Sequence, residues 1–282
     1  MNIAIVTLPW RLGERGVNHG RGAEAILSAD LVDMLIDNGH RVGTPTSAEL
    51  TPAEQKEYGA WHKTGLGNRH LAELIAEERR EGNFVIALES DCSATMGALA
   101  GLQLSGVKRI GMVWYDAHAD FNTPETTLSG MLGGMPVAIS AGLCLERLRA
   151  QSGLESPIDP HDIVMVGLRD VDPLEMELVK SHGVETVEAK PAAVKEAVDK
   201  LGERVDAIYV HIDWDVLDPR DIPTAGLPVP KGPRLKDLAE IVSIAAHHPK
   251  AALLGYAAFN ADKDADGKVA QNLAQNIADA LK

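Results

Sequence analysis

Only two cysteines, Cys92 and Cys144, occur in 282 residues. That is too few to staple a chain of this length, so a disulfide scaffold is excluded and a reducing compartment is expected. Positive charge is also scarce: 27 Lys and Arg stand against 41 Asp and Glu, for a formal charge of −14. Such a field repels a phosphate backbone, and no nucleic-acid partner is expected. No apolar run approaches the ~20 residues of a membrane span, and no membrane partner is expected. The opening MNIAIVTLPW lacks the basic n-region and cleavage site of a signal peptide and reads as a first strand. No GxGxxG or phosphate-cradling loop follows a strand-like run, which removes a doubly wound nucleotide-binding protein. With 45% hydrophobic and 24% charged residues, the composition suits an acidic, globular, cytoplasmic protein.

Short runs rich in β-branched residues recur between longer amphipathic stretches. Strands are expected at Asn2–Leu8, His40–Thr44, Phe84–Leu88, Gly111–Tyr115, Ile163–Val166, Glu185–Val187, Ala207–Ile212 and Ala252–Tyr256. Several carry almost no polar residue, as parallel strands covered on both faces do. Helical periodicity appears over Ala25–Asp37, Leu235–Ala246 and Val269–Leu281. The alternation predicts one α/β domain over residues 1–282, with a parallel, roughly eight-stranded sheet and helices on both faces. The Gly/Pro-rich stretches Thr123–Pro136 and Pro219–Pro233 follow strands and read as functional loops. In open α/β sheets, ligands bind outside the carboxyl ends of the strands.

Two acidic motifs lie at such ends. Gly111–Tyr115 runs into Asp116-Ala117-His118-Ala119-Asp120, and Ala207–Ile212 runs into Asp213-Trp214-Asp215. Alternate residues of extended chain point the same way, so each motif offers its ionisable groups to one side. Four carboxylates and an imidazole crowded together repel strongly unless neutralised. Two divalent cations, bridged by two of the carboxylates, resolve the conflict, and oxygen-rich ligands suit hard ions such as Mn²⁺. Any one of these acids alone reads more simply as a solvated loop residue; the two motifs together favour metal.

DAHADFNTPETTLSG at Asp116–Gly130 and HIDWDVLDP at His211–Pro219 resemble the metal signatures of the ureohydrolase family, which includes arginase, agmatinase and formiminoglutamase. GVNHGRGAEAI at Gly16–Ile26, ESDCS at Glu89–Ser93, VGLRDVDPLE at Val166–Glu175 and AAFNAD at Ala257–Asp262 extend the likeness nearly end to end. The resemblance implies a three-layer α-β-α fold and two Mn²⁺ ions bridged by Asp116 and Asp213. His118 and Asp215 would complete one ion's ligands, and Asp120 the other's. The histidine expected on that other ion falls at Cys92. Thiolate is a possible but soft ligand, and a small buried hydrophobe is the alternative reading of Cys92. Cys144 has no such context. The chemistry implied is attack of a metal-bridging hydroxide on a guanidino carbon, with Asp120 relaying the proton to the departing amine.

Asn122, Thr127 and Ser129 match positions that bind a substrate α-carboxylate in arginases. Asp172 matches a residue at the α-amino group, and Glu175 matches the acidic position after it. Each alone also fits turn formation or helix capping. Three departures stand against ordinary arginase. A proton-shuttling histidine falls at Gly133, a guanidinium-gripping glutamate at Ala258, and a loop asparagine at Met131. Cys92, Gly133-Gly134 and HIDWDVL together resemble the Nω-hydroxyarginine hydrolase branch, from which Ala258 departs too. The expectation is a hydrolase of a guanidino or amidine small molecule, an α-amino-acid derivative such as arginine or hydroxyarginine. A metal-poor pseudoenzyme or amino-acid-binding protein on the same fold is the alternative. The resemblance also implies a homo-oligomer, a trimer or hexamer. Trp10, Tyr58, Trp61 and His62 fit a cavity mouth, an interface or ordinary packing.

Overall fold

The apolar runs assemble into a central sheet in a computed structural model that describes residues 1–282. In chain order the strands are β1 (Asn2–Leu8), β2 (Trp10–Arg11), β3 (Glu14–Arg15), β4 (Arg41–Val42), β5 (Thr46–Ser47), β6 (Phe84–Glu89), β7 (Ile110–Tyr115), β8 (Ile163–Val166), β9 (Glu185–Val187), β10 (Ala207–Asp213) and β11 (Ala251–Ala257). Nine of them form one sheet in the order β4-β1-β6-β11-β10-β7-β8-β9, with β5 also on β1. Every pairing in it is parallel. β2 and β3 make a small separate antiparallel hairpin.

The helices are α1 (Gly22–Leu27), α2 (Leu31–Asp37), α3 (Ala60–Arg80), α4 (Thr95–Leu104), α5 (Pro136–Ser140), α6 (Glu146–Gln151), α7 (Pro173–Ser181), α8 (Pro191–Arg204), α9 (Leu235–Ala246) and α10 (Lys268–Ala280). Strand side chains alternate between two cores. Ile86, Val113, Ile208, Val210 and Leu254 face one core with α1, α2, α8, α9 and α10. Val85, Ala87, Met112, Trp114 and Tyr209 face the other with α3, α4, α5 and α7. This is the expected three-layer arrangement, and the period-two alternation of fully apolar strands produces it.

Two expectations need correction. The run His40–Thr44 is not one strand: Arg41–Val42 and Thr46–Ser47 pair separately with β1, so the sheet has nine strands rather than eight. The helical stretch Ala25–Asp37 breaks into α1 and α2, because Asp30 takes a left-handed backbone (φ 61°) that no α-helix contains. The periodicity on either side of Asp30 is preserved, so the pattern alone hides the break.

The strand order also fixes the site. β6 and β7 follow one another along the chain, yet in the sheet β11 and β10 lie between them. The carboxyl ends of β6, β7, β10 and β11 are therefore neighbours. The chain's crowded acids sit there.

Candidate metal centre

Each acidic motif folds back on itself as its strand ends. The His118 backbone N–H donates to Asp116 Oδ1 at 2.7 Å, and the Asp215 N–H donates to Asp213 Oδ1 at 2.7 Å. One oxygen of each leading aspartate thus shapes its own turn and leaves the other free of it. Asp116, Asp120, Asp213 and Asp215 are all buried, and His118 is half-buried.

Two groups of three ligand atoms result, each with its atoms within 4.8 Å of one another. One is Cys92, Asp116 and Asp213; the other is Asp116, His118 and Asp215. Asp116 belongs to both. The Cys92 Sγ–H donates to Asp213 Oδ2 at 2.9 Å. His118 Nδ1 lies 3.3 Å from Asp116 Oδ1 and 3.2 Å from Asp215 Oδ2. Asp116 Oδ2 is buried with no hydrogen-bond partner.

Without cations, burial and mutual repulsion raise the proton affinity of the clustered acids. Burial and then Asp215 push the Asp116 carboxyl up to about 8, against the pull of His118. Burial, then Asp116 and Asp213, raises Asp120; burial, then Asp215 and Asp116, raises Asp213. Burial works against charge on His118, but its bonds to Asp116 and Asp215 outweigh that and push it up to about 12. The Cys92 thiol is raised by burial and then by Asp213, Asp120 and Asp116. Two ligand triads that share Asp116, whose Oδ2 is buried and unpartnered, offer what a pair of divalent cations requires, so the residues fit the group.

The other predicted residues surround this floor. Asp120, Asn122, Ser129, Asp172 and Glu175 line the same cavity of about 700 Å³. Asp120 stands outside both triads; its backbone is left-handed (φ 48°) and its carbonyl accepts from Val137 N–H. Thr127 does not line the cavity, because its hydroxyl closes the loop by accepting from Gly130 N–H at 3.1 Å. The Asn122 amide donates to Asp172 Oδ2 at 3.3 Å. Glu175 accepts from Phe121 N–H at 2.8 Å and from Asp172 N–H at 3.3 Å, which ties the start of α7 to the Asp116–Asp120 loop.

Several cavity residues escape sequence reasoning. Arg11 and His19 enter from the segment after β1, Arg11 with its Nε 3.2 Å from Asp91 Oδ2. His19 has a buried, unpartnered Nδ1, and burial followed by Arg11 lowers its pKa. Beneath the floor, Glu89 is buried at the end of β6. The Tyr209 hydroxyl lies 3.1 Å from Glu89 Oε1 and 2.8 Å from His211 Nδ1, and His211 stacks on Trp114 at 3.9 Å. The signal for Glu89 was present, since an acid inside an otherwise apolar run rarely lies buried without partners.

Residues 1–281 match the family described as the arginase family. The chain belongs to that family. Arginase from Bacillus subtilis strain 168 is 32% identical over 243 residues, covering 82% of this chain and 80% of the relative. The crystal structure of arginase from Bacillus subtilis superposes with a TM-score of 0.87 at 26% identity, over 100% of this chain and 98% of that one. An Entamoeba histolytica arginase solved in complex with L-ornithine gives 0.86 at 26% identity, covering 99% and 98%. The proclavaminate amidino hydrolase of Streptomyces clavuligerus, at 20% identity and a TM-score of 0.70, shares the fold. Members of the family are metal-dependent hydrolases of guanidino compounds, with a binuclear metal centre, and this chain is a hydrolase of that family. None of its helices is long and apolar enough to cross a membrane.

Proposed function

We propose that this hydrolase uses two Mn²⁺ ions to cleave a C–N bond of a guanidino or related amidine compound, an α-amino-acid derivative such as arginine or hydroxyarginine. The observation that carries the reading is the pair of triads meeting at Asp116, with its buried and unpartnered Oδ2. Asp116 and Asp213 would contact both ions, Cys92 and Asp120 one, and His118 and Asp215 the other. When bound, the ions supply a water activated at neutral pH.

The chain's own residues do the rest. The Asp120 carboxyl has no side-chain partner and its proton affinity is raised by burial, so it can take a proton and return it to the leaving nitrogen. Asn122 and Asp172, already joined, form one edge of the cavity with Ser129, where they can receive the amino-acid head of the substrate. Glu175 and Thr127 brace the two loops that carry those groups. The L-ornithine complex of the Entamoeba relative supports an α-amino acid in such a cleft. Departure of the amine follows collapse of a tetrahedral carbon.

Asp213→Ala decides the assignment. It is expected to remove at least one ion by elemental analysis and to abolish urea or amine release, with the circular dichroism spectrum intact. Unchanged metal content in that variant refutes it.

A further inference from the structure

The floor of the cavity is acidic; its mouth, beside the exposed Asp170, adds a group of exposed apolar side chains. Large apolar side chains are seldom gathered at an exposed site without a ligand or partner to meet. Eleven large hydrophobic side chains of this chain are exposed, and four of them line this one cavity: Leu12 (37%), Trp61 (40%), Met131 (45%) and Leu227 (54%). They come from four separate segments: the β2–β3 turn, the start of α3, the loop after β7 and the loop after β10. Pro228 and Val229 continue the surface inward from Leu227.

Two further features set this wall apart. Leu12 is held in the left-handed region (φ 49°), a conformation costly for a leucine, although Gly13 is adjacent. Beside Met131, a Cβ added at Gly133 or Gly134 would meet nothing within 4 Å, so the wall there stands back from the cavity and leaves room. A volume of about 700 Å³ exceeds what a single amino acid fills. A polar floor below and hydrocarbon above define an amphiphilic occupant, with a polar reacting end and an apolar tail.

We propose that the guanidino or amidine compound taken by this cavity carries an apolar N-substituent, with its guanidino end at the floor and that substituent against Leu12, Trp61, Met131 and Leu227. The proposal rests on the reading of the floor as a guanidino site and adds the class of substituent to it. Apolar contact of this kind strengthens binding with each methylene buried, by about fourfold in Kd.

The test is titration calorimetry of the Mn²⁺-loaded protein with straight-chain alkylguanidines, from ethylguanidine to octylguanidine. Kd is expected to fall about fourfold per methylene over the first several members. Trp61→Ser and Leu227→Ser, at exposed positions, are expected to cut that to under twofold, while Leu104→Ser, exposed but outside the cavity, leaves it unchanged. A flat series, no binding at any length, or an unaltered slope in both cavity variants overturns the proposal. The two readings fail separately. Tightening with chain length in a protein that hydrolyses no guanidine keeps the apolar wall and sinks the proposed function. Hydrolysis with a flat series does the reverse.

Discussion

Ala258 sits on the cavity wall with a left-handed backbone (φ 67°), its N–H donating to Ser90 O at 3.3 Å. A glutamate there faces the same backbone strain as the alanine, so Ala258→Glu adds a charge-assisted partner for a guanidinium without a new distortion. Such a bond contributes about 1.5–3 kcal/mol, or roughly a 10- to 150-fold gain in kcat/KM for L-arginine. Steady-state kinetics checks it; no gain places the guanidinium elsewhere. The unaltered chain is expected to turn over Nω-hydroxyarginine faster than arginine, since a less basic guanidine depends less on the missing carboxylate. An arginine kcat/KM at or above that of hydroxyarginine contradicts this. Cys92→His is expected to tighten Mn²⁺ retention on dialysis and Cys92→Ala to weaken it, because imidazole suits that ion better than thiolate. Equal affinity in all three would make Cys92 only packing. The acidic motifs were legible because each ends a buried strand, although each then turns back on itself instead of continuing as the extended chain the spacing suggested. Arg11 and His19 were not, since their entry into the cavity depends on contacts such as Arg11 with Asp91, far apart in sequence.

β1, β8 and the edge strand β9 have the limits the sequence predicts. β6, β7, β10 and β11 each extend one or two residues beyond the apolar run that announces them, and α9 has the limits its periodicity predicts. The long helix α3 packs closely on α4 because glycines of α4 face it. A Cβ at Gly97 would lie 2.5 Å from the Asn68 carbonyl oxygen, and one at Gly101 would lie 2.6 Å from the Ile75 side chain. Gly97→Ala must therefore push α3 and α4 apart and is expected to cost about 1–3 kcal/mol, read by denaturant unfolding. The Asn68 amide also donates to Ser93 O at 2.9 Å, beside Cys92. The same variant should hold Mn²⁺ less tightly; stability lost with metal affinity intact would show that α3 does not brace that turn.

At the scale of the molecule, the acidic cluster links stability to pH. Asp116 is raised in the fold, so from about pH 4 to about 8 the unfolded chain releases a proton that the metal-free fold retains. His118 is raised as well, and its favourable pairing fades above its ordinary value as pH climbs toward about 12. Both contributions make the metal-free protein less stable as pH rises. Cations displace these protons and bind better at higher pH. The gap in Tm between Mn²⁺-loaded and chelator-treated protein should therefore widen from pH 5 to pH 8. A gap that stays constant or narrows in thermal melts is inconsistent with protons and metal sharing the cluster.

The strand order also has a consequence for how the protein is made. β6 and β7 leave the ribosome early, but the two strands that join them, β10 and β11, are the last of the sheet to be synthesised. Until residue 257 emerges, the nascent chain carries two long apolar strand edges with a two-strand gap between them, an arrangement prone to wrong pairing. The final insertion closes the gap and brings Asp213 and Asp215 to Asp116 in the same event. A chain stalled before β10 holds Cys92, Asp116, His118 and Asp120 but lacks Asp213 and Asp215, so neither ligand triad is complete until the last strands are in place.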